Sequence, residues 1–208
     1  MKEETLNRIK PYYQTGDPSH DWNHIRRVVN TCYKFGKALG ADLEVLIPAA
    51  YLHDVVSIPK NSDERSQASQ MAANLAAKIL EEEGLSKSVI EKICQVIKEH
   101  SFSSGLKATS LEAQILQDAD RLDAMGAIGV MRWNTCGTLM KASYYHADDP
   151  WGVDRKLDDR HYSLDHFETK LLRLKEMLNT EPAKKEGEKR NQFFLTFLSS
   201  LRDELNQS

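Results

Sequence analysis

His53 and Asp54 stand side by side in "AAYLHDVVSIPK", residues 49–60. An apolar and small-residue run (Ala49, Ala50, Tyr51, Leu52) precedes them, and Val55 and Val56 follow. An ionised carboxylate in such a setting is costly unless something positive satisfies it. Three arrangements would do so: a hydrogen-bonded buried pair, a catalytic pair, or two ligands of one metal ion. Other polar residues intrude on apolar faces in the same way. His24 precedes Ile25 and Val28, His100 lies on the face of Ile93, Val96 and Ile97, and Asp120 follows Leu116 by four residues. Taken singly, each reads as a hydrogen-bonded core histidine or a capping or exposed aspartate. Taken together, His24, His53, Asp54 and Asp120 supply imidazole and carboxylate, donors that suit Mn, Fe, Ni, Co or Zn. One ion would neutralise Asp54 and satisfy His53 at once. Four protein ligands on an octahedral ion would leave positions for water and substrate oxygens.

The elements that must carry these residues are helical almost throughout. Leu6, Ile9 and Tyr13 give helical spacing over 2–14. "GDPSHDWNH" carries turn chemistry, with Ser19 or Asp21 as the cap of a helix over about 21–39 that Gly40 ends. A helix over about 42–55 holds His53, and Pro59 marks the loop beyond it. Further helices are expected over 62–84 (capped near Ser62 or Asp63), 86–100, 110–124 and on to about 140. "HADDPWGVDRKLDDR" reads as a long polar loop, and helices over 163–179 and 183–205 close the chain. The charge run "EPAKKEGEKR", 181–190, reads as a solvated linker and helix start. No period-2 run is long enough for a confident strand. The expectation is an all-α, single-domain helical bundle spanning 1–208, with the motif-bearing core at about 20–135.

The composition bounds the function. The chain has 208 residues, 40% of them hydrophobic, enough for a sizeable core. A net charge of -3 advertises no nucleic-acid surface. Three cysteines with no CxxC spacing fit reduced thiols, and the charged N-terminus lacks a signal-peptide core. The expectation is a cytoplasmic protein with no nucleic-acid or membrane partner, for which a homodimer is allowed.

"HDWNHIRRV", "AAYLHDVV", "IKEHSFSS" and "QDADRLDAMGAIGVMR" resemble the motifs of the HD-domain superfamily of metal-dependent phosphohydrolases, in its small bacterial single-domain subgroup. The family pattern H…HD…D falls on His24, His53, Asp54 and Asp120, in order. The resemblance implies an all-α fold, a divalent metal ion (Mn, Co, Ni, Fe, Mg or Zn), and hydrolysis of phosphate esters or anhydrides. Nucleotides as substrates are implied by the resemblance alone. The sequence departs from the dinuclear cyclic-dinucleotide branch: Val55 follows His53-Asp54, and there is no GYP motif. A single tightly held metal is expected.

Roles for the remaining residues follow, each with a plainer alternative. Asp54 would both ligate the metal and orient water. Asp123, three residues past Asp120, would orient a water or a ligand, or else cap the helix. His100 would protonate the leaving oxygen or bind phosphate, or else make a core hydrogen bond. Arg27 and Lys60 would bind substrate phosphate, or else be surface charges. His20 would join the site, or else sit in a loop. The segment 143–162, with Tyr144, Tyr145, His146, Trp151 and His161, would cover a pocket or pack as a surface loop. His146, Asp148 and Asp149 offer an alternative metal site of undiagnostic spacing. An HD fold that binds metal and nucleotide without turnover, as a signalling module, is the competing function. A purely structural helical protein with no metal is a third.

Overall fold

The structure is a computed structural model and describes residues 1–14, 16–56, 58, 66–101 and 105–206. Among the described residues it is all-α. The α-helices are α1 (Glu3–Ile9), α2 (Trp22–Leu39), α3 (Leu43–Leu52), α4 (Ala68–Glu82), α5 (Lys87–His100), α6 (Leu111–Asp123), α7 (Gly126–Leu139), α8 (Asp165–Thr169) and α9 (Glu181–Asn206). Among the described residues, the 3-10 helices Lys10–Tyr13 and Leu171–Met177 extend α1 and follow α8. Extended pairing among the described residues is one isolated bridge, Ser143 to Tyr162. No helix among them is long and apolar enough to cross a membrane. The chain forms two compact units, Met1–Asp120 and Arg121–Ser208.

In the first unit, α2 and α5 are the amphipathic helices that the sequence period demands, and both pack against α3. Ile25, Val28, Cys32, Leu46, Ala49, Leu52, Ile93, Ile97, Ile115 and Leu116 form its core. The start of α2 is set by Asp21, whose carboxylate accepts the backbone N–H of His24 at 2.9 Å. Its end is set by Gly40 at φ 74°, a left-handed position that glycine occupies without strain. α3 is capped by Asp42 and ends earlier than the periodicity suggests, at Leu52 rather than 55. α4 begins at Ala68 rather than 62, and the expected caps Ser62 and Asp63 lie outside the described residues. Buried Glu99 accepts the backbone N–H and the hydroxyl of Thr109 at 2.8 and 2.7 Å. Gln117 donates to the Glu99 carbonyl at 2.7 Å. These bonds tie the chain after α5 back onto α5 and α6, and so fix the end at which His100 sits.

In the second unit, α7 and the 3-10 helix Leu171–Met177 pack against α9. Phe167, Phe194, Leu171, Leu174 and Leu178 fill the core, with Phe167 and Phe194 edge to face at 5.2 Å. The expected helix over 163–179 is broken in two. Lys170, at φ -142° and ψ -56°, leaves helical geometry between the pieces. The cause is pinning from the preceding loop. Arg155 grips buried Asp165 with two hydrogen bonds of 2.6 and 2.7 Å, and Asp159 bonds both His166 and Thr169 at 2.8 Å. The charge run 181–190 belongs wholly to α9, with Ala183 and Gly187 buried, so it is no linker.

Candidate metal centre

Two histidines reach the site from helix C-termini, and the local physics that holds them also aims them. The last carbonyls of an α-helix have no intrahelical donor. At the end of α3, the Nδ1–H of His53 donates to the carbonyl of Ala50 at 2.8 Å. At the end of α5, the Nδ1–H of His100 donates to the carbonyl of Ile97 at 2.6 Å. Each bond places a proton on Nδ1 and turns Nε2 toward the site. His24, in the first turn of α2, and Asp120, in α6, complete the ring of elements.

The four residues of the H…HD…D pattern converge. His24 Nε2 lies 3.8 Å from Asp54 Oδ2 and 3.6 Å from Asp120 Oδ1, and His53 Nε2 lies 3.7 Å from Asp54 Oδ2. His24 and His53 are fully buried, while the side chains of Asp54 and Asp120 keep 24% and 30% exposure. The imidazoles thus form the floor and the carboxylates face the opening. His100 joins them: its Nε2 is 3.7 Å from the other Asp54 oxygen, Oδ1. Two ligand-capable groups result, His24–His53–Asp120 and His53–Asp54–His100, with the ligand atoms of each within 4.8 Å of one another.

These distances pass a fit test for a metal ion. Gaps of 3.6–3.8 Å are too long for hydrogen bonds. They are shorter than the roughly 4.2 Å that two metal–ligand bonds of about 2.1 Å can span. Among the described residues, buried His53 Nε2 makes no hydrogen bond. An orphaned buried lone pair of this kind is costly, and a cation satisfies it. Mixed imidazole and carboxylate donors suit a divalent first-row ion.

The electrostatics of the metal-free site follow from burial and proximity. Burial is the largest influence on His53 and pushes its pKa down to about 4, against the weaker pull of Asp54. Burial alone would raise the Asp54 carboxyl, but His53 and His100 outweigh it and hold it well below the usual range. His100 feels the same burial, yet Asp54 beside it raises its pKa. Tyr13, buried with its hydroxyl donating to the Tyr51 carbonyl, is pushed well up by burial and then by Asp54.

The other expected residues are placed as follows. Arg27 is half-buried on α2, three residues past His24. Lys60 lies outside the described residues. Asp123, at the end of α6, is buried and forms an ion pair with Arg132 of α7. His146 is a turn residue: its Nδ1 accepts the backbone N–H groups of Asp148 and Asp149, both at 3.2 Å. Both Asp149 oxygens accept from Val153 and Asp154. That alternative triad is therefore absent from the ligand-capable groups among the described residues. His20 sits in the turn before α2. Its ring stands edge to face with His24 at 5.9 Å. The signals for it were its place four residues before His24 and the turn chemistry of "GDPSHDWNH".

An all-α chain that gathers H…HD…D at one point offers imidazole and carboxylate donors to a single cation. The HD domain matches residues 21–125, and the chain belongs to that family. It is similar to the protein YpgQ of Bacillus subtilis, 30% identical over 190 residues that cover 89% of this chain and 84% of YpgQ. The crystal structure of YpgQ in complex with ADP matches at a TM-score of 0.72 and 29% identity, covering 96% of this chain and 97% of that one. An HD-superfamily hydrolase of Bacillus thuringiensis matches at a TM-score of 0.74 and 30% identity, covering 99% and 97%.

Proposed function

We propose that this protein is a divalent-metal-dependent phosphohydrolase acting on nucleotides. The observation that carries the reading is the buried Nε2 of His53, left without a hydrogen bond beside Asp54 where a cation fits. The nucleotide class is supported by the ADP held by YpgQ, a relative of matching fold.

In this reading His24, His53, Asp54 and Asp120 hold one ion. Bound there, a divalent ion supplies Lewis acidity that polarises a phosphoryl oxygen and acidifies water. The chain does the rest. Asp54, half open to the cleft, orients the water. His100, held through Nδ1 and with its pKa raised by Asp54, carries a second proton on Nε2 and gives it to the leaving oxygen. Arg27 and Lys60 balance phosphate charge. Asp123 orients rather than transfers a proton, since its pair with Arg132 commits one of its oxygens.

The test is a screen of nucleoside mono-, di- and triphosphates against Mn, Co, Ni and Mg, with products separated by chromatography. Release of phosphate or pyrophosphate that EDTA abolishes is the expected result. Stoichiometric metal and nucleotide binding without turnover of any of them would make the protein a signalling module and overturn the reading.

A further inference from the structure

The end of α3 takes a hydrogen bond from outside the helix. A helix running on past Leu52 would give the Val55 N–H to the Tyr51 carbonyl. That N–H goes instead to the Leu52 carbonyl at 3.3 Å. The Tyr51 carbonyl accepts the hydroxyl of Tyr13, the last residue of the 3-10 helix Lys10–Tyr13. Tyr13 is buried, and burial, then nearby Asp54, keeps the hydroxyl protonated, so it donates. Its ring has a fixed seat. Trp22 packs against Tyr13 at 5.6 Å between ring centroids and stacks on Tyr51 at 5.9 Å. Trp22 opens α2 two residues before His24, and Tyr51 stands two residues before His53. The three rings therefore tie the start of α2 to the end of α3. From those two places the rings of His24 and His53 meet edge to face at 5.5 Å. No step of the proposed chemistry uses Tyr13.

We infer that Tyr13 is a positioning residue of the metal centre: its hydroxyl holds α3 to an end at Leu52, and that end aims His53 and Asp54 at one ion. The inference rests on the metal-bound reading of the site and needs no turnover. Neighbours on a continuing helix point about 100° apart. Past Leu52 the chain leaves the helix, so His53 bonds back to Ala50 and Asp54 Oδ2 comes within 3.7 Å of His53 Nε2. Without the hydroxyl, the Tyr51 carbonyl recaptures the Val55 N–H. α3 then extends, and Asp54 turns away from His53.

Tyr13→Phe removes one oxygen and keeps the ring against Trp22. Tyr12→Phe, on the exposed neighbour in the same turn, is the control. The measurements are calorimetric titration with manganese alone, the visible absorption of the cobalt-loaded protein, and melting temperature in EDTA, all on the full chain. Tyr13→Phe should bind manganese about 10- to 100-fold more weakly, the range for partners that orient metal ligands. Its cobalt spectrum should differ from that of wild type, because two ligands are re-aimed. Its melting temperature in EDTA should fall by about 2–6 °C, the loss of one hydrogen bond. Tyr12→Phe should match wild type in all three, and a manganese loss there equal to that of Tyr13→Phe would overturn the inference. Wild-type manganese affinity and cobalt spectrum in Tyr13→Phe, whatever its melting temperature, would make the hydroxyl a support of the fold alone and overturn it too. So would a Tyr13→Phe chain that is unfolded at the temperature of the titration. A wild-type chain that binds no manganese overturns the metal reading and this one together, whereas a metal-binding chain indifferent to Tyr13→Phe overturns this one alone.

Discussion

His53→Ala separates what the imidazole does for the fold from what it does for the ion. In the metal-free chain two effects oppose one another. Truncation removes the bond to the Ala50 carbonyl, about 1 kcal/mol, and leaves a small cavity. It also removes the orphaned Nε2, whose burial costs about 1–3 kcal/mol. The metal-free variant should therefore unfold within about 2 kcal/mol of wild type. The metal-loaded comparison differs. Wild type at 100 times its dissociation constant gains about 2.7 kcal/mol from the ion. Outer-shell partners of a metal are worth 10- to 100-fold in affinity, so a direct ligand should be worth at least about 100-fold. At the same manganese concentration the variant then gains only about 0.4 kcal/mol. At about 2–4 °C per kcal/mol for a chain of this size, manganese should raise the wild-type melting temperature by about 5–11 °C. The variant should shift by less than about 2 °C. Thermal scans of both proteins in EDTA and in manganese measure all four values. An undiminished manganese shift in His53→Ala would show that the ion is held elsewhere.

Two further outcomes are expected. Because burial holds His53 near pKa 4 against a usual 6.5, native protein binds fewer protons than unfolded chain between those pH values, and its stability falls as pH falls through that window. In EDTA, urea titrations from pH 7 to pH 4 should therefore lower the stability of wild type relative to His53→Ala by about 3 kcal/mol, and a difference independent of pH would refute the cause assigned to the shift. Asp165→Ala leaves Arg155 without its two-pronged partner and should cost about 3 kcal/mol, the lower end for a buried pair because Arg155 keeps some exposure. Its melting temperature should drop by about 6–12 °C, and a drop under 2 °C would mean that the loop is held by its other bonds.

What the sequence made legible was periodicity and its violations. Apolar stripes gave α2 and α5, Asp21 and Gly40 marked the ends of α2, and the intrusions at His24, His53, Asp54 and Asp120 named the residues that converge. What stayed hidden depends on partners distant in the chain or on where a helix stops. The break at Lys170 is imposed by Arg155 and Asp159, and no local pattern in 163–179 announces it. Asp123 shares a helical period with Asp120, yet its partner is Arg132, a turn into the next helix.

His100 shows the limit most clearly. Its apolar face was read correctly, but whether it touches Asp54 depends on α5 ending at that residue, so that the ring bonds back to Ile97 instead of continuing the helical face. A helix end uncertain by one or two residues swings a side chain by 100–200° about the axis, enough to move a ligand out of a site. His53 meets the same condition at the end of α3. The two histidines that face Asp54 from opposite oxygens are thus aimed by helix termination. The bonds from their rings to Ala50 and Ile97 are at once the caps of two helices and the orientation of the site.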